Sequence, residues 1–213
     1  MYYSGHRCKL KECAKNLLHS NSASNFAAPT FSVLTSVKEN IIEPGQNILE
    51  IGAGNLRNIL FIADTIRNVN LYVYELESTI NKFKSNYLLF VKKGGKILKS
   101  FSNTKFDIII CTFVLETICP KSEREKMLEK IHRCLKKDGV FIASFRGYSG
   151  VIGKKYINCP LNEGLISPKK TFVKPYSLDE VSTFLKDSGF NNIQFMKKYR
   201  VDNPKNIHLI ATK

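Results

Sequence analysis

Two glycines and one acidic residue have the spacing of a nucleoside-binding turn. Gly52 and Gly54 lie in the segment EIGAG, directly after an apolar run, and Glu75 ends the next such run. Glycines let the backbone turn sharply and approach a ligand without a Cβ in the way. An acidic side chain about 20 residues after such a turn can accept hydrogen bonds from the two hydroxyls of a ribose. The residues therefore predict a site for a ligand that contains a nucleoside.

The third glycine of the dinucleotide-binding pattern is missing from this turn. In the pattern G-x-G-x-x-G, the last glycine lets a helix pack closely beside a pyrophosphate. Arg57 stands at that position here. This replacement disfavours a nicotinamide dinucleotide as the ligand.

The elements that would position the turn alternate along the chain. Short β-branched runs alternate with stretches whose apolar residues recur at helical spacing, which is typical of a parallel sheet covered by helices. We predict seven strands: Asn47–Ile51, Leu71–Glu75, Lys96–Ser100, Phe106–Thr112, Val140–Phe145, Ile193–Tyr199 and Ile207–Thr212. The last two are expected to form an antiparallel hairpin. The predicted fold class is therefore α/β, with a doubly wound, mostly parallel seven-stranded sheet that ends in a C-terminal antiparallel hairpin.

Helices are predicted between these strands from the spacing of apolar residues and from capping signals. The stretches are Asn55–Ile66, a helix marked by Ile80, Phe83 and Tyr87, one from Ser122 to the Asp138-Gly139 turn, and one from Ser177 to Gly189. Ser177 and Glu180 have the spacing of a capping box, which favours a helix start at that serine.

Five segments in this order resemble the class I S-adenosylmethionine (SAM)-dependent methyltransferase family. They are EIGAG after the first strand, YELE at the second, FDIIICTFVL at the fourth, LKKDGVFIA at the fifth and SLDEVSTFLKDSGF in the late helix. Their agreement in order and spacing is a much stronger signal than any one of them. The resemblance spans roughly residues 42–212. It implies a Rossmann-like methyltransferase fold, SAM as the methyl donor and S-adenosylhomocysteine as the product.

The resemblance also implies roles for the glycine-containing turn. Gly52 and Gly54 would lie beneath the methionine portion of SAM. Glu50 would hold the turn in shape or reach the ammonium group of the donor. The alternative for Glu50 is a carboxylate that organises the turn and makes no contact with the ligand.

Three further positions match the family's donor site. Glu75 would bind the ribose hydroxyls, Phe101 would flank the adenine, and Thr112 would line the side of the sulfonium. Glu77 is the competing acidic residue for the ribose, although its place suggests a charge at a helix N-terminus. Phe101 could instead belong to the core. The acidic residue that the family usually has beside the adenine is missing from residues 100–103.

The charge of the chain raises the question of a polyanionic partner. The sequence has 33 basic and 18 acidic residues and a net charge of +15. Such an excess favours nucleic-acid binding. The basic residues are mostly lysine in a chain that is also rich in Asn and Ile, and a compositional drift of the gene would give the same excess. Charge alone therefore supports a nucleic-acid partner only weakly.

The segment 146–176 follows the fifth strand and is expected to face the substrate. It is longer than an ordinary connection, and such loops are often functional. Aromatic residues such as Tyr148 are interleaved with basic ones, as in surfaces that track phosphates and stack on bases. The basic residues proposed to contact nucleic acid are Arg146, Lys154, Lys155, Lys169 and Lys170. The alternative is a lid whose lysines face water and whose aromatic rings pack on the sheet.

The acceptor is less well defined than the donor. We expect a slight preference for RNA or DNA, with a small-molecule methyltransferase as the alternative and a non-catalytic SAM-fold scaffold as the second alternative. Residues 112–116 lack the D/N-P-P-Y/F segment of amino-group DNA methyltransferases. Glu116 and Tyr148 are the candidate catalytic residues, because they are expected near the methyl group, where a side chain can orient or deprotonate the acceptor.

The remaining expectations concern organisation and location. Residues 1–40 are predicted to form a helical cap segment and residues 41–213 the methyltransferase domain. No apolar run approaches the roughly 20 residues that span a bilayer, and the N-terminus lacks the pattern of a signal peptide. We therefore expect a cytoplasmic protein with reduced cysteines and no bound metal. Four residues could be imagined as zinc ligands, but their spacing matches no familiar zinc site: His6, Cys8, Cys13 and His19.

Overall fold

A computed structural model describes residues 27–100, 104–152, 155–159, 163–167, 171–196 and 204–213. Its α-helices are α1 (Phe31–Lys38), α2 (Arg57–Thr65), α3 (Glu77–Lys82), α4 (Lys84–Lys92), α5 (Lys121–Cys134) and α6 (Leu178–Asp187). The strands are β1 (Asn47–Ile51), β2 (Asn70–Tyr74), β3 (Lys96–Ile97), β4 (Phe106–Thr112), β5 (Leu135–Arg146), β6 (Ile157–Asn158), β7 (Leu165–Ile166), β8 (Phe172–Val173), β9 (Asn191–Phe195) and β10 (Asn206–Thr212). None of these helices is both long and apolar enough to cross a membrane.

Seven of the strands form one sheet in the order β3-β2-β1-β4-β5-β10-β9. The pairs from β3 to β5 are parallel, and β10 is antiparallel to both β5 and β9. The order reverses between β1 and β4, so the carboxyl ends of these two strands open a crevice where ligands bind in such sheets. The prediction of a doubly wound, mostly parallel sheet with a C-terminal antiparallel hairpin is confirmed.

The sheet separates two apolar cores because its central strands are buried on both faces. On one face, Ile48, Ile110 and Ile142 pack against α1, α2 and α4. On the other face, Ile109 and Phe141 pack against α5 and α6. Continuous burial of this kind is what distinguishes a central parallel strand from a half-exposed antiparallel one. The apolar runs in the sequence therefore located the strands well.

The end of α5 and the start of β5 differ from the prediction. The helix ends at Cys134 rather than at the Asp138-Gly139 turn, and Leu135 already has extended backbone angles. Leu135 is fully buried and pairs with Phe106 of β4, whereas the next registered pair is Val140 with Ile108. Residues 136–139 thus form an irregularity inside β5, and the expected turn is a bulge in the strand.

Two other predicted helices have different bounds. The helix that follows the glycine turn begins at Arg57 rather than Asn55, because Leu56 has a left-handed backbone with φ +67°. The helix predicted around Ile80 and Tyr87 is divided into α3 and α4 at Phe83, whose ψ of 33° is not helical. In the predicted cap segment 1–40, α1 is present as expected, and residues 1–26 lie outside the described residues.

The segment 146–176 contains a small sheet that the sequence did not predict. Strands β6, β7 and β8 pair antiparallel with one another. Cys119, Cys159 and Phe172 form a separate buried cluster beneath them. Each strand has only two residues, which is too short for a periodic pattern to be visible in the sequence.

Candidate functional site

The turn between β1 and α2 has the backbone that its glycines predict. Gly52 and Gly54 have φ angles of +67° and +57°, in the left-handed region that residues with a Cβ seldom adopt. The N–H of Gly52 donates to the carbonyl oxygen of Tyr74 over 2.9 Å. This bond ties the beginning of the turn to the end of β2, so the turn lies in the crevice at the carboxyl edge of the sheet.

Gly52 is in close contact with the segment that follows β4. A Cβ on this glycine would lie 2.3 Å from Cγ2 of Val114. Real Cβ atoms do not approach another carbon so closely, because the repulsion at that distance exceeds any packing gain. The turn after β1 and the residues after β4 therefore form adjoining walls of one cleft, which is where the resemblance would place the methyl donor.

Glu75 is bonded to the glycine turn itself. Its Oε2 accepts from the N–H of Gly54 over 2.7 Å, and its Oε1 accepts from the N–H of Leu76 over 2.7 Å. Burial raises the pKa of Glu75, and hydrogen bonds from the backbone of Gly54 and Leu76 and from the side chain of Thr79 oppose that rise. The carboxylate thus lies at the turn, where the resemblance places the ribose.

Helix α4 supports the outer side of the same turn. The hydroxyl of Tyr87 donates to the carbonyl oxygen of Gly54 over 3.0 Å, and Nδ2 of Asn86 donates to the carbonyl oxygen of Asn55 over 2.9 Å. Burial raises the pKa of Tyr87, so its hydroxyl remains a donor at any ordinary pH. These two supports were missed by the sequence analysis, because they come from more than thirty residues further along the chain.

Glu50 is buried in the floor of the cleft with one oxygen unsatisfied. It is 1% exposed, and its Oε1 accepts from Nδ2 of Asn58 over 2.7 Å. Within the described part of the chain, Oε2 has no hydrogen-bond partner although it is buried. Burial raises the pKa of Glu50 to about 8, despite the bond from Asn58 and the positive charge of Arg57.

The two oxygens of Glu50 correspond to the two interpretations that the sequence left open. Oε1 organises the turn through Asn58 in α2. Oε2 is an orphaned acceptor, and a buried acceptor without a partner is costly unless a ligand or water satisfies it. An ammonium group suits such an oxygen. The residues present therefore fit SAM, with Glu50 and Glu75 at its polar groups and Gly52 and Gly54 beneath its chain.

A chain of polar side chains extends from this floor beneath α1. Asn58 accepts from the N–H of Thr30 over 2.8 Å and donates to Oγ1 of Thr112 over 3.2 Å. The hydroxyl oxygens of Thr30 and Ser32 are 3.3 Å apart. The hydroxyl oxygens of Ser32 and Ser144 are 2.9 Å apart and form the next hydrogen bond. Thr112 is thus placed at the carboxyl end of β4, at the cleft, where it was predicted to line the donor site.

His208 is the last residue in this series of hydrogen-bonded polar side chains, and it was not identified from the sequence. Its Nδ1 lies 2.8 Å from Oγ of Ser144. The imidazole makes edge contacts with Phe31 and Phe113, with ring centroids 5.4 Å and 5.9 Å away. His208 is in β10 and pairs across the sheet with Ser144 of β5, which in turn pairs with Thr112 of β4. One histidine in a strand of alternating apolar and polar residues does not indicate a functional site by itself, because only the order of strands in the sheet shows which residues it contacts.

Glu116 follows β4 and lies beside Arg146, the last residue of β5, where it is almost fully buried. Its Oε2 accepts from the N–H of Arg146 over 2.9 Å, and its Oε1 is 3.7 Å from Nε of that residue. Its carbonyl oxygen accepts from the N–H of Lys174 over 2.8 Å. Burial raises the pKa of Glu116 to about 8, against the lowering influence of Arg146. The structure thus brings Glu116 to the predicted edge of the sheet, held by the backbone of β5.

Tyr148 follows β5 and is partly exposed. Its hydroxyl donates to Oε1 of Glu180 over 3.2 Å and accepts from Nζ of Lys174 over 3.2 Å. Glu116 thus follows β4 and Tyr148 follows β5, so both candidate catalytic residues lie at the carboxyl edge of the sheet. Their catalytic role stays a prediction.

Several predicted residues cannot be placed. Phe101, Lys154, Lys169 and Lys170 lie outside the described residues, as do the four imagined zinc ligands between His6 and His19. Lys155 is described and exposed. Across the described ranges, no three His, Cys, Asp or Glu side chains are grouped as a metal ion would require.

Comparisons with known proteins agree with this geometry. Residues 49–141 match the family model of the methyltransferase domain. That range includes the glycine turn, Glu75 and the segment after β4. A comparison with curated proteins found no match.

Solved structures share the fold across most of the chain. A SAM-dependent methyltransferase from Clostridium acetobutylicum has a TM-score of 0.61 at 15% identity, covering 96% of this chain and 98% of its own. The Burkholderia thailandensis 1,6-didemethyltoxoflavin-N1-methyltransferase, solved with bound 1,6-didemethyltoxoflavin and S-adenosylhomocysteine, has a TM-score of 0.66 at 14% identity, covering 98% of this chain and 89% of its own.

A longer relative shares the same fold. Phosphoethanolamine N-methyltransferase 2 of Haemonchus contortus has a TM-score of 0.63 at 14% identity, covering 89% of this chain. This chain spans about half of that one, 54%. At such identities the likeness establishes the fold, and the match over residues 49–141 shows a methyltransferase domain in that part of the chain. The predicted fold class and methyl donor are therefore confirmed. Both comparisons support the resemblance to class I SAM-dependent methyltransferases that the sequence motifs indicated.

Proposed function

We propose that this protein transfers the methyl group of SAM to a small-molecule acceptor bound above the carboxyl ends of β4 and β5. The proposal rests on the contacts that the basic and aromatic side chains of segment 146–176 make. Among the described residues of that segment, most of these side chains contact one another or the core. The sequence alone slightly favours a nucleic acid, whereas these contacts favour the small-molecule alternative.

The cationic groups nearest the cleft already contact other side chains of the protein. Arg146 lies beside the carboxyl group of Glu116, and its guanidinium carbon is 5.5 Å from the centre of the Phe113 ring. Lys174 forms an ion pair with Glu180 over 2.7 Å. A surface that binds nucleic acid instead presents cations to solvent, where they replace the counterions of the phosphates.

Three of the four described aromatic rings of the segment also contact other side chains or the core. Phe172 and Tyr176 are 2% and 5% exposed, and Tyr176 packs on Phe145 and Phe184 in the core. Tyr148 is 38% exposed, but Lys174 lies over its ring. Stacking of single-stranded bases needs rings with a free face. These contacts correspond to the lid interpretation, in which the aromatic residues pack down and enclose a small cleft.

The relatives are consistent with a small acceptor. The names of the Burkholderia and Haemonchus proteins give 1,6-didemethyltoxoflavin and phosphoethanolamine as their substrates. Both are small molecules. This chain shares only the fold with them, so their names support the class of acceptor and do not identify it.

The described residues suggest how the acceptor would be positioned. Bound SAM supplies an electrophilic methyl group on its sulfonium, and holding a nucleophile in line with it provides much of the rate. Phe113 and His208 form an aromatic wall at the edge where Thr112 ends β4. Imidazole is the side chain that most often takes a proton in enzymes. His208 therefore joins Glu116 and Tyr148 as a candidate for orienting or deprotonating the acceptor.

Methyl transfer into fractions of a cell extract tests the acceptor class. The purified chain would be incubated with methyl-tritiated SAM and separated fractions of small metabolites, RNA, DNA and protein. We expect label in the small-molecule fraction only. Label in RNA or DNA, together with oligonucleotide binding that weakens steeply as salt rises, would replace the proposal with a nucleic-acid acceptor. Tight SAM binding with no label in any fraction would favour the non-catalytic scaffold.

A further inference from the structure

Helix α4 is apolar on two sides, but the described residues cover only one of them. Tyr87 and Phe90 are 2% and 0% exposed and pack under the sheet. Leu88, Leu89 and Val91 point outward and are 62%, 45% and 50% exposed. A helix that is apolar all round is normally buried all round. Scattered exposed apolar residues are ordinary, but three within four positions form a patch that calls for a partner.

Lysines precede and follow this patch along the chain. No acidic residue occurs from Asn81 to Lys105. Among the lysines that the structure describes around the helix, Lys93 alone forms an ion pair, with Asp64 over 2.8 Å. Lys84 and Lys92 are in α4 itself and exposed. The surface therefore combines a small aliphatic centre with an excess of positive charge. We call this set the α4 surface: Lys82, Lys84, Leu88, Leu89, Val91 and Lys92.

We infer that the α4 surface docks on an anionic lipid membrane. A helix lies in a membrane interface when aliphatic side chains reach between the headgroups and lysines above them face anionic lipids. The α4 surface offers both components on the solvent side of the helix and beside it. Because the surface is not a groove, it needs no complementary shape from its partner.

Other occupants match the surface less well. A second copy of the chain would bring the same lysines together, and like charges oppose that contact. Protein partners are anchored mostly through Trp, Tyr and Arg, whereas Leu and Val are under-represented among anchors. The aromatic residues of α4 face inward, and the surface has no arginine. Nucleic acid would gain nothing from an aliphatic centre, since bases need a ring to stack on.

Vesicle sedimentation with the full-length chain tests the inference. Two kinds of vesicle are compared, one of phosphatidylcholine alone and one that also contains phosphatidylserine. We expect much tighter binding to the anionic vesicles, with a decline as salt rises. The deciding variant is Leu88→Ser/Leu89→Ser/Val91→Ser, which keeps the charge. It should bind anionic vesicles about tenfold more weakly, because it removes the aliphatic groups that enter the membrane.

A matched control separates docking from general apolar exposure. Ile152 and Ile157 are 70% and 65% exposed and lie in the segment after β5. The variant Ile152→Ser/Ile157→Ser should bind the vesicles as well as the wild type does. SAM binding and the thermal unfolding midpoint should be unchanged in both variants, which shows that they fold. This arrangement keeps a failure of the membrane inference distinct from a failure of the proposed function.

Three results would overturn the inference. Equal binding to neutral and anionic vesicles would remove the role of the lysines. Unchanged binding by the triple serine variant would mean that the net charge of the chain alone attracts the vesicles. Binding to polyglutamate that depends on Leu88, Leu89 and Val91, without binding to vesicles, would assign the α4 surface to an acidic protein partner.

Discussion

The carboxylate of Glu75 accepts a 2.7 Å hydrogen bond from the backbone N–H of Gly54, 21 residues earlier in the chain. The sequence predicted each residue as a separate contact of the donor, and the structure shows that they also contact each other. A carboxylate has about four acceptor positions. Glu75 can therefore hold the turn and still accept hydrogen bonds from a ribose, so one residue couples the shape of the turn to the binding of the sugar.

A methyl group on Gly52 should destabilise the fold and abolish SAM binding. Gly52→Ala places its Cβ 2.3 Å from Val114 and also forces alanine into the left-handed region. We expect a loss of about 1 kcal/mol from the backbone and about 1–3 kcal/mol more from overpacking. Urea denaturation measures the unfolding free energy, and calorimetry measures the affinity for SAM.

A comparison with Gly45→Ala separates the steric part of the expected loss in unfolding free energy from the backbone part. Gly45 has φ +84°, but nothing lies within 4 Å of the Cβ that alanine would add. Gly45→Ala should therefore cost only the backbone part and leave SAM binding intact. Adding Val114→Ala to Gly52→Ala should restore stability toward that of Gly45→Ala. If the two single glycine variants proved equally stable, the close contact between the walls of the cleft would be refuted.

Removal of the Tyr87 hydroxyl should loosen the glycine turn. Tyr87→Phe loses the bond to the carbonyl oxygen of Gly54, and a neutral hydrogen bond contributes about 1 kcal/mol. We expect the SAM dissociation constant to rise about fivefold for that loss. In the control Tyr72→Phe, the affinity should not change, since no described residue is hydrogen-bonded to that hydroxyl. Equal affinities of wild type and Tyr87→Phe would mean that α4 does not support the turn.

The unfolding free energy should fall as pH rises from about 5 to about 8, partly because of Glu50. Its pKa is about 8 in the folded chain and 4.5 in a model carboxyl group. Between these values the folded state keeps a proton that the unfolded state has lost, so each unit of pH removes at most about 1.4 kcal/mol. Glu116 contributes with the same sign, because its pKa is also raised to about 8.

Glu50→Gln isolates the first of these contributions. Glutamine keeps an acceptor for Asn58 and cannot ionise. The variant should match the wild type near pH 5 and be the more stable of the two near pH 8 when SAM is not added. Urea denaturation across this range measures the difference. A wild type and a variant with the same pH slope would show that Glu50 is ionised in the folded chain.

Of the three candidates for orienting or deprotonating the acceptor, Glu116 is expected to act by holding the end of β5, because its carboxyl group is buried and bonded to the backbone of Arg146. Glu116→Ala leaves the N–H of Arg146 without its acceptor, and we expect the unfolding free energy to fall by about 2 kcal/mol. Glu116→Gln can still accept from that N–H and should retain most of kcat. A kcat at least about 100-fold lower in a stable Glu116→Gln would instead identify the carboxylate as a general base.

The sequence was sufficient for the fold class and the glycine turn, but not for the buried polar side chains beneath α1. Strands β1 and β4 are continuous apolar runs, and the turn has a local motif, so both are visible in a few residues. Asn58, Ser144 and His208 are single polar residues on different elements. They meet only because α1 packs across β5 and β10, and each contact joins residues that are far apart in the sequence.

The start of β5 shows a different limit. The Asp138-Gly139 pair is a strong local turn signal, and it led to a predicted helix end at that point. Leu135 instead leaves the helix early because its side chain fills the core opposite Phe106. Burial of one leucine outweighed the local preference of the next four residues, which then form a bulge with Asp138 at φ +61°.

Calorimetric titration of SAM into wild type, Glu75→Ala and Glu77→Ala tests the donor site most directly. Glu77 is exposed at the start of α3 and serves as the matched acidic control. We expect one SAM to bind per wild-type chain, a loss of about 1.5–3 kcal/mol of binding free energy in Glu75→Ala, and unchanged affinity in Glu77→Ala. A wild-type chain that binds neither SAM nor S-adenosylhomocysteine, or a Glu75→Ala variant that binds SAM as tightly as wild type, would contradict the assignment.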